Sequence, residues 1–153
     1  MGQTRHRVTD ALAGGLAGAL MLTLIHETAR RLRPDAPRMD MLGRRALARG
    51  LARLGVEPPS DELQGLALAG DLATNSLYYA LVGVGSPGRA LVRGAALGTA
   101  AGLGAITLPP VLGLDRAPRG LTTRTKAMTA AWYLAGGLAA AATFRLLQSS
   151  RGI

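Results

Sequence analysis

Cysteine is absent from the 153 residues of the chain, which excludes a disulfide scaffold, a thiolate metal site and a cysteine nucleophile. Charge is scarce: Asp, Glu, Lys and Arg together make 18% of the residues, against about a quarter in soluble domains. Lysine is almost missing, since arginine supplies 17 of the 18 basic side chains, the mark of a GC-rich bacterial coding bias. No G-x-S-x-G, H-E-x-x-H or phosphate-binding loop occurs, so the usual nucleophile and metal signatures are lacking. The letters G-x-G-x-x-G do occur, at Gly83-Val84-Gly85-Ser86-Pro87-Gly88. They follow a helix-like apolar run instead of a strand, and Pro87 interrupts them. The dinucleotide fingerprint therefore lacks its context, and a tight hairpin explains the segment.

What is present is segregated. Mean hydropathy is only +0.22, but charge is missing over 15 residues from Ala11 to Ile25, 21 from Gly94 to Leu114 and 18 from Ala127 to Phe144. Over the 26 residues from Leu63 to Gly88, Asp71 alone interrupts. With their flanks all four runs reach the roughly 20 helical residues that cross a bilayer core. A soluble helix carries a polar face; the run from Ala127 to Phe144 has none, with Thr129 and Thr143 its only aliphatic polar residues. The competing reading, a soluble Ala/Gly-rich bundle with two buried helices, leaves little surface for water. The sequence thus predicts an all-α fold: a single integral membrane domain over 1–153, a four-span helical bundle with spans near 9–30, 61–84, 88–109 and 124–147. Gly14 with Gly18, Gly94 with Gly98 and Gly102, and Gly136 with Ala140 form small-xxx-small ridges suited to close helix packing.

Local chemistry marks the ends. Arg30, Arg31 and Arg33 close the first span before Pro34. Ser60 is an N-cap candidate ahead of Asp61 and Glu62. Ser86-Pro87 opens the third span, Pro109-Pro110 end or kink it, and Thr122 or Thr123 caps the fourth. The first run is like a signal-peptide core, but no small-x-small cleavage site follows, so it is expected to remain as a span. Twelve basic residues fall in the two long linkers and six on the other side. The positive-inside rule then places the linkers in the cytoplasm and both termini outside a bacterial inner membrane, with Arg5 and Arg7 pulling mildly the other way.

Within the first linker, Met39 to Leu54 forms an amphipathic helix. Met39, Leu42, Ala46, Leu47, Leu51 and Leu54 share a face, while Arg44, Arg45 and Arg49 oppose it and Arg53 sits at the border. Such a helix lies in the interface with its arginines on anionic headgroups, or else packs on a partner subunit. The net charge of +9 clusters beside the spans, which favours lipid over nucleic acid as its partner. A repeat is also visible. Ala73 to Gly83 aligns with Ala127 to Gly137, matching Tyr78-Tyr79 to Trp132-Tyr133, and Ala36-Pro37-Arg38 recurs as Ala117-Pro118-Arg119. Two spans per unit make a parallel repeat about an axis along the membrane normal.

Polar residues inside spans are functional candidates. Asp71 lies near the middle of the second span, and Gln64, Asp71, Asn75 and Tyr78 stack on one helical face beside Thr74. Asn75 and Tyr78 are expected to donate hydrogen bonds to the carboxylate. Burial and such donors pull its proton affinity in opposite directions. The group is then either an interhelical clasp, with Thr129 or Tyr133 as partner, or a proton or cation relay. His26 and Glu27 form a second candidate. Adjacent helical residues point about 100° apart and share one ion poorly; Glu27 with Arg31 is the plainer i, i+4 ion pair. Depths of about 6 Å for His26 and about 15 Å for Asp71, at 1.5 Å per residue, hold those two apart unless the first helix extends to Arg33. His26 as a haem ligand lacks a second axial ligand on its side of the membrane. No metal site and no cofactor is assigned.

The expected function is an accessory or helix-packing subunit in a homo-oligomer or larger membrane complex. The alternative is a small proton- or cation-coupled transporter using Asp71, and an intramembrane enzyme comes third. The predicted behaviour on fractionation is sedimentation with membranes, and extraction by detergent but not by high salt. A monodisperse particle in buffer without surfactant overturns the membrane assignment.

Overall fold

The computed structural model describes residues 2–33, 36, 39–114 and 122–151. Among them are five α-helices and no strand: α1 (Gly2–Leu32), α2 (Met39–Ala52), α3 (Ser60–Ala80), α4 (Ala90–Val111) and α5 (Thr123–Ser150). Two 3-10 turns, Leu81–Gly83 and Pro87–Arg89, join α3 to α4. Pro34, Pro37, Arg38, Arg116 and the whole of Ala117-Pro118-Arg119 lie outside the described residues.

Three segments are long and apolar enough to cross a membrane: Thr4–Leu32, Pro87–Val111 and Thr123–Ser150. The expected fourth, α3, has the length but not the apolarity, because Gln64, Asp71 and Asn75 dilute it. The most apolar stretches of the three are only 39%, 17% and 28% buried in the protein. Leucine and valine side chains such as Val92 and Leu146 stand about 70% exposed, so these helices turn apolar surface outward.

Helix ends follow local chemistry with some shifts. Thr122 caps α5, its Oγ1 accepting from the Thr125 N–H at 3.1 Å. Ser60 does not cap α3: the helix starts one residue earlier than expected, with Pro59 in the cap position and Ser60 already inside. Pro87 begins a 3-10 turn, and Ser86 makes no capping bond. The pair Pro109-Pro110 lies inside the last turn of α4, which ends one residue later at Val111. Closure comes just beyond, where Gly113 takes a φ of +65° and the Leu114 N–H donates to the Pro109 carbonyl at 2.8 Å. Only glycine adopts that conformation cheaply.

α5 lies between α1 and α4, and α3 flanks α1. The glycine ridges explain this order. Gly14 and Gly18 of α1 face Ala140 and Gly136 of α5, where an added Cβ would stand 2.7 Å and 2.6 Å from their carbonyl oxygens. Gly94, Gly98 and Gly102 of α4 face Gly137, Tyr133-Leu134 and Ala130. α5 therefore presents one small-residue face to each neighbour. Gly15, on another side of α1, meets Ser76 and Ala80 of α3. Tyr79 of α3 is fully buried and donates its hydroxyl to the Tyr133 carbonyl of α5 at 2.8 Å. Leu22, Val82, Ala90, Ala140, Ala141 and Phe144 complete the core around it.

α3 and α4, adjacent in sequence, touch little. A parallel two-helix repeat would equate the α1–α5 seam with the α4–α3 seam. The first is closed on glycine; the second stands open.

At Gly98 a Cβ would lie 2.7 Å from both Leu134 Cα and the Tyr133 carbonyl, atoms that cannot rotate away. Gly98→Val should lower stability by about 1–3 kcal/mol. Gly70→Ala, where a Cβ meets nothing within 4 Å, should cost nothing. Thermal unfolding in detergent micelles separates the two.

Candidate functional site

The polar stripe of α3 is divided by the fold. Asn75 Nδ2 donates to Asp71 Oδ1 at 3.0 Å and to the Asp71 main-chain carbonyl at 3.0 Å. Tyr78 does not join this pair as expected. Its hydroxyl reaches across the open seam to the Leu97 carbonyl of α4 at 2.9 Å. The interhelical clasp is not formed either. Thr129 turns its hydroxyl back to the Thr125 carbonyl at 2.9 Å, and Asp71 has Asn75 as its hydrogen-bond partner among the described residues. The carboxylate is instead exposed at the wall of a cleft.

That cleft has a volume of about 490 Å³. Asp71, Thr74, Asn75 and Tyr78 form one wall, and Ala100, Ala101, Gly104, Ala105 and Leu108 of α4 the other. Tyr133 of α5 lies at the back, and Leu42, Gly43 and Ala46 of α2 cover one end. The small side chains of α4 leave the room, and Leu42, Gly43 and Ala46 of α2 roof it. The dimensions fit a small-molecule site: mostly apolar, with few converging polar groups.

Asp71 also borders a second, smaller pocket of about 90 Å³, with Thr23, His26, Glu27, Arg30, Arg44 and Gln64. His26 and Asp71, expected to be too far apart in depth, thus share a pocket, because α1 continues through Leu32 instead of ending near Arg30. The His26 ring stands edge-on to Trp132 and Tyr133, with centroids 5.2 Å and 5.9 Å away. Glu27 pairs chiefly with Arg30, whose Nη2 donates to both carboxylate oxygens at 3.0 Å and 2.7 Å. Arg31, the expected i, i+4 partner, also pairs with Glu27, at 3.9 Å. Among the described residues no group of three or more His, Cys, Asp or Glu side chains converges.

The arginines of α2 have protein partners. Arg44 Nη1 lies 3.5 Å from Gln64 Oε1. Arg45 and Arg49 each donate to a carbonyl at the C-terminal end of α4, Leu114 and Leu112, both at 3.3 Å. Those carbonyls lack intrahelical donors, and a cation there also meets the negative end of the helix dipole. Arg53 is exposed. α2 is thereby tied across the end of the open seam, from α3 to α4.

The opposite end holds a cluster that the sequence did not single out. Asp10 of α1 is 2% exposed. It accepts from Gln148 Nε2 at 2.7 Å and pairs with Arg151 Nη2 at 3.1 Å, and Arg151 Nη1 lies 3.1 Å from His6 Nδ1. Nearby, Arg7 donates twice to the Gly83 carbonyl and Arg93 twice to the Val82 carbonyl, closing the end of α3 where the 3-10 turn leaves those acceptors open. Asp10 borders the first neutral run, where a charge reads as a flank; its partners are 138 residues or more away, beyond any local pattern.

Comparison with protein-family models, with characterised proteins and with solved structures finds no match.

Asp10→Ala leaves the buried Gln148 amide without its acceptor and should cost about 1–3 kcal/mol. Arg53→Ala, at an exposed position, should stay within about 0.5 kcal/mol of the parent. Both are read from unfolding midpoints in micelles.

Proposed function

We propose that this chain is a small four-span integral membrane protein that carries protons or monovalent cations across the bilayer, with Asp71 in the α3–α4 cleft as the coupling group. The observation that carries this reading is the open seam itself: an intramembrane carboxylate, unclasped by another helix, bordering both an apolar cleft and a polar pocket. Three helices of spanning length and apolarity support the membrane assignment. α3 joins them as the fourth span because its polar stripe faces the cleft and its Leu66, Leu68 and Leu77 are exposed on its surface. With the linkers cytoplasmic, α2 lies at the inner interface and both termini outside, as the 12-to-6 division of basic residues favours.

Asp71 follows Ser60 by eleven residues, about 16 Å along the helix axis at 1.5 Å per residue, near the middle of a hydrocarbon layer about 30 Å thick. The pocket lined by His26, Glu27 and Gln64 gives polar access from the cytoplasmic end. Asn75 stabilises the carboxylate through a donated hydrogen bond, and a proton or cation arriving at Asp71 neutralises it. Tyr78–Leu97 is the bond that a hinge motion of α4 against α3 would break and remake.

The accessory-subunit reading retains one supporting observation: exposed apolar side chains along α1 and α4, such as Leu24 and Val111, suit a partner's helices as well as acyl chains. Its glycine ridges, by contrast, already face one another inside the chain.

Proteoliposomes with an enclosed pH-sensitive dye test the carrier. Asp71→Asn should abolish proton-linked flux while leaving the unfolding midpoint in micelles unchanged, since its hydrogen-bond partner lies in the same helix. Equal flux from parent and variant overturns the proposal.

A further inference from the structure

The lining of the cleft constrains what it can hold. Asp71 is the one Asp, Glu, Lys, Arg or His among the described residues that line it, so the site complements a single positive charge. The two walls differ in kind. The α3 wall supplies a carboxylate, an amide and hydroxyls. The α4 wall supplies Ala100, Ala101, Gly104 and Ala105, without a side-chain oxygen. A bare metal cation needs oxygen ligands all round, six to eight for calcium-like ions, and finds them on one side only. A sugar or other polyol would leave its hydroxyls unpaired against alanine and glycine, at a cost of about 1–3 kcal/mol each. An anion meets repulsion. A neutral hydrocarbon leaves the carboxylate desolvated without a counter-charge.

An ammonium on an apolar body meets all these conditions at once. It brings one positive charge for Asp71, needs no ring of ligands, and offers hydrocarbon to the α4 wall. Tyr78 and Tyr133 line the same cleft, and aromatic rings attract a poorly hydrated cation. The volume of about 490 Å³ lies within the roughly 300–1,000 Å³ of small-molecule sites. We propose that the α3–α4 cleft binds a lipophilic monocation, its charge at Asp71 and its apolar body along the Ala/Gly wall of α4. This rests on the reading of the cleft as the working site of a carrier, and names the substrate class.

The test is isothermal titration of the full chain in a non-ionic detergent, with tetraphenylphosphonium as probe. Tetraphenylborate, the same shape with opposite charge, controls for simple partition into the micelle. The expected result is saturable binding of the cation at one site per chain and none of the anion. Asp71→Asn should weaken it at least tenfold, and so should Gly104→Leu. The glycine replacement fills the cleft without touching the carboxylate, since a Cβ at Gly104 meets only Leu108 Cδ1 at 3.6 Å. Unchanged unfolding midpoints confirm that both variants fold. Equal uptake of cation and anion, or cation binding indifferent to both substitutions, overturns the proposal. Displacement of the probe by phosphatidylethanolamine overturns it in favour of a lipid headgroup. Absence of saturable binding alongside Asp71-dependent proton flux overturns the substrate class and leaves the carrier standing. Asp71-dependent binding without flux supports the site and overturns the carrier.

Discussion

Backbone-to-backbone approach on the two faces of α5 is the constraint on which the rest of the structure depends. Helices in a lipid-like environment gain little from hiding apolar groups from one another, so dispersion contact at short range has to hold them. α5 supplies Gly136 and Ala140 to α1 and Gly137 and Ala141 to α4. Both neighbours answer with glycine, and the Tyr79 ring of α3 packs against Gly18 and Gly136 beside the α1–α5 contact. Once α5 is sandwiched in this way, α3 is left to the outer side of α1. There a smaller contact at Gly15 and the inserted Tyr79 secure it.

The open seam follows from that order. α3 and α5 carry aligned segments, but the segment on α5 turns Thr125, Thr129 and Trp132 inward, with Thr129 satisfied by its own helix. The matching positions on α3 are Asp71, Asn75 and Tyr78, which cannot be closed against alanine and glycine without desolvating a carboxylate. The α1–α5 seam is thus sealed and the α3–α4 seam left as a cleft. Polar groups in the open one are bridged at Tyr78–Leu97 and roofed by α2.

The arginines do more than set a charge balance. Arg7, Arg45, Arg49 and Arg93 all donate to carbonyls at helix or turn ends, where the backbone has acceptors without donors. Arg151 satisfies Asp10. Guanidinium suits this work, because its planar set of donors serves several acceptors at once, and it gives the near-absence of lysine a structural use.

Much of this was legible from the chain. Long neutral runs, prolines and cap residues marked five helices, including the amphipathic one, because these signals act over one or two turns; their ends fall within a few residues except at α1, which starts at Gly2 and not near residue 9. The stripe from Gln64 to Tyr78 was legible for the same reason: spacing of 7, 4 and 3 places residues on one helical face whatever surrounds them. Which groups that face would meet was not. Tyr78 bonds α4 instead of Asp71, His26 shares a pocket with Asp71, and Asp10 finds Gln148 at the far end of the chain. The glycine ridges were visible, yet their mates were not, since a small residue at every fourth position says that something comes close without saying what. Helix identity and face are set by neighbours along the chain. Tertiary approach alone decided that the α1–α5, α4–α5 and α1–α3 seams would close on glycine and that the α3–α4 seam, carrying a carboxylate, would stay open.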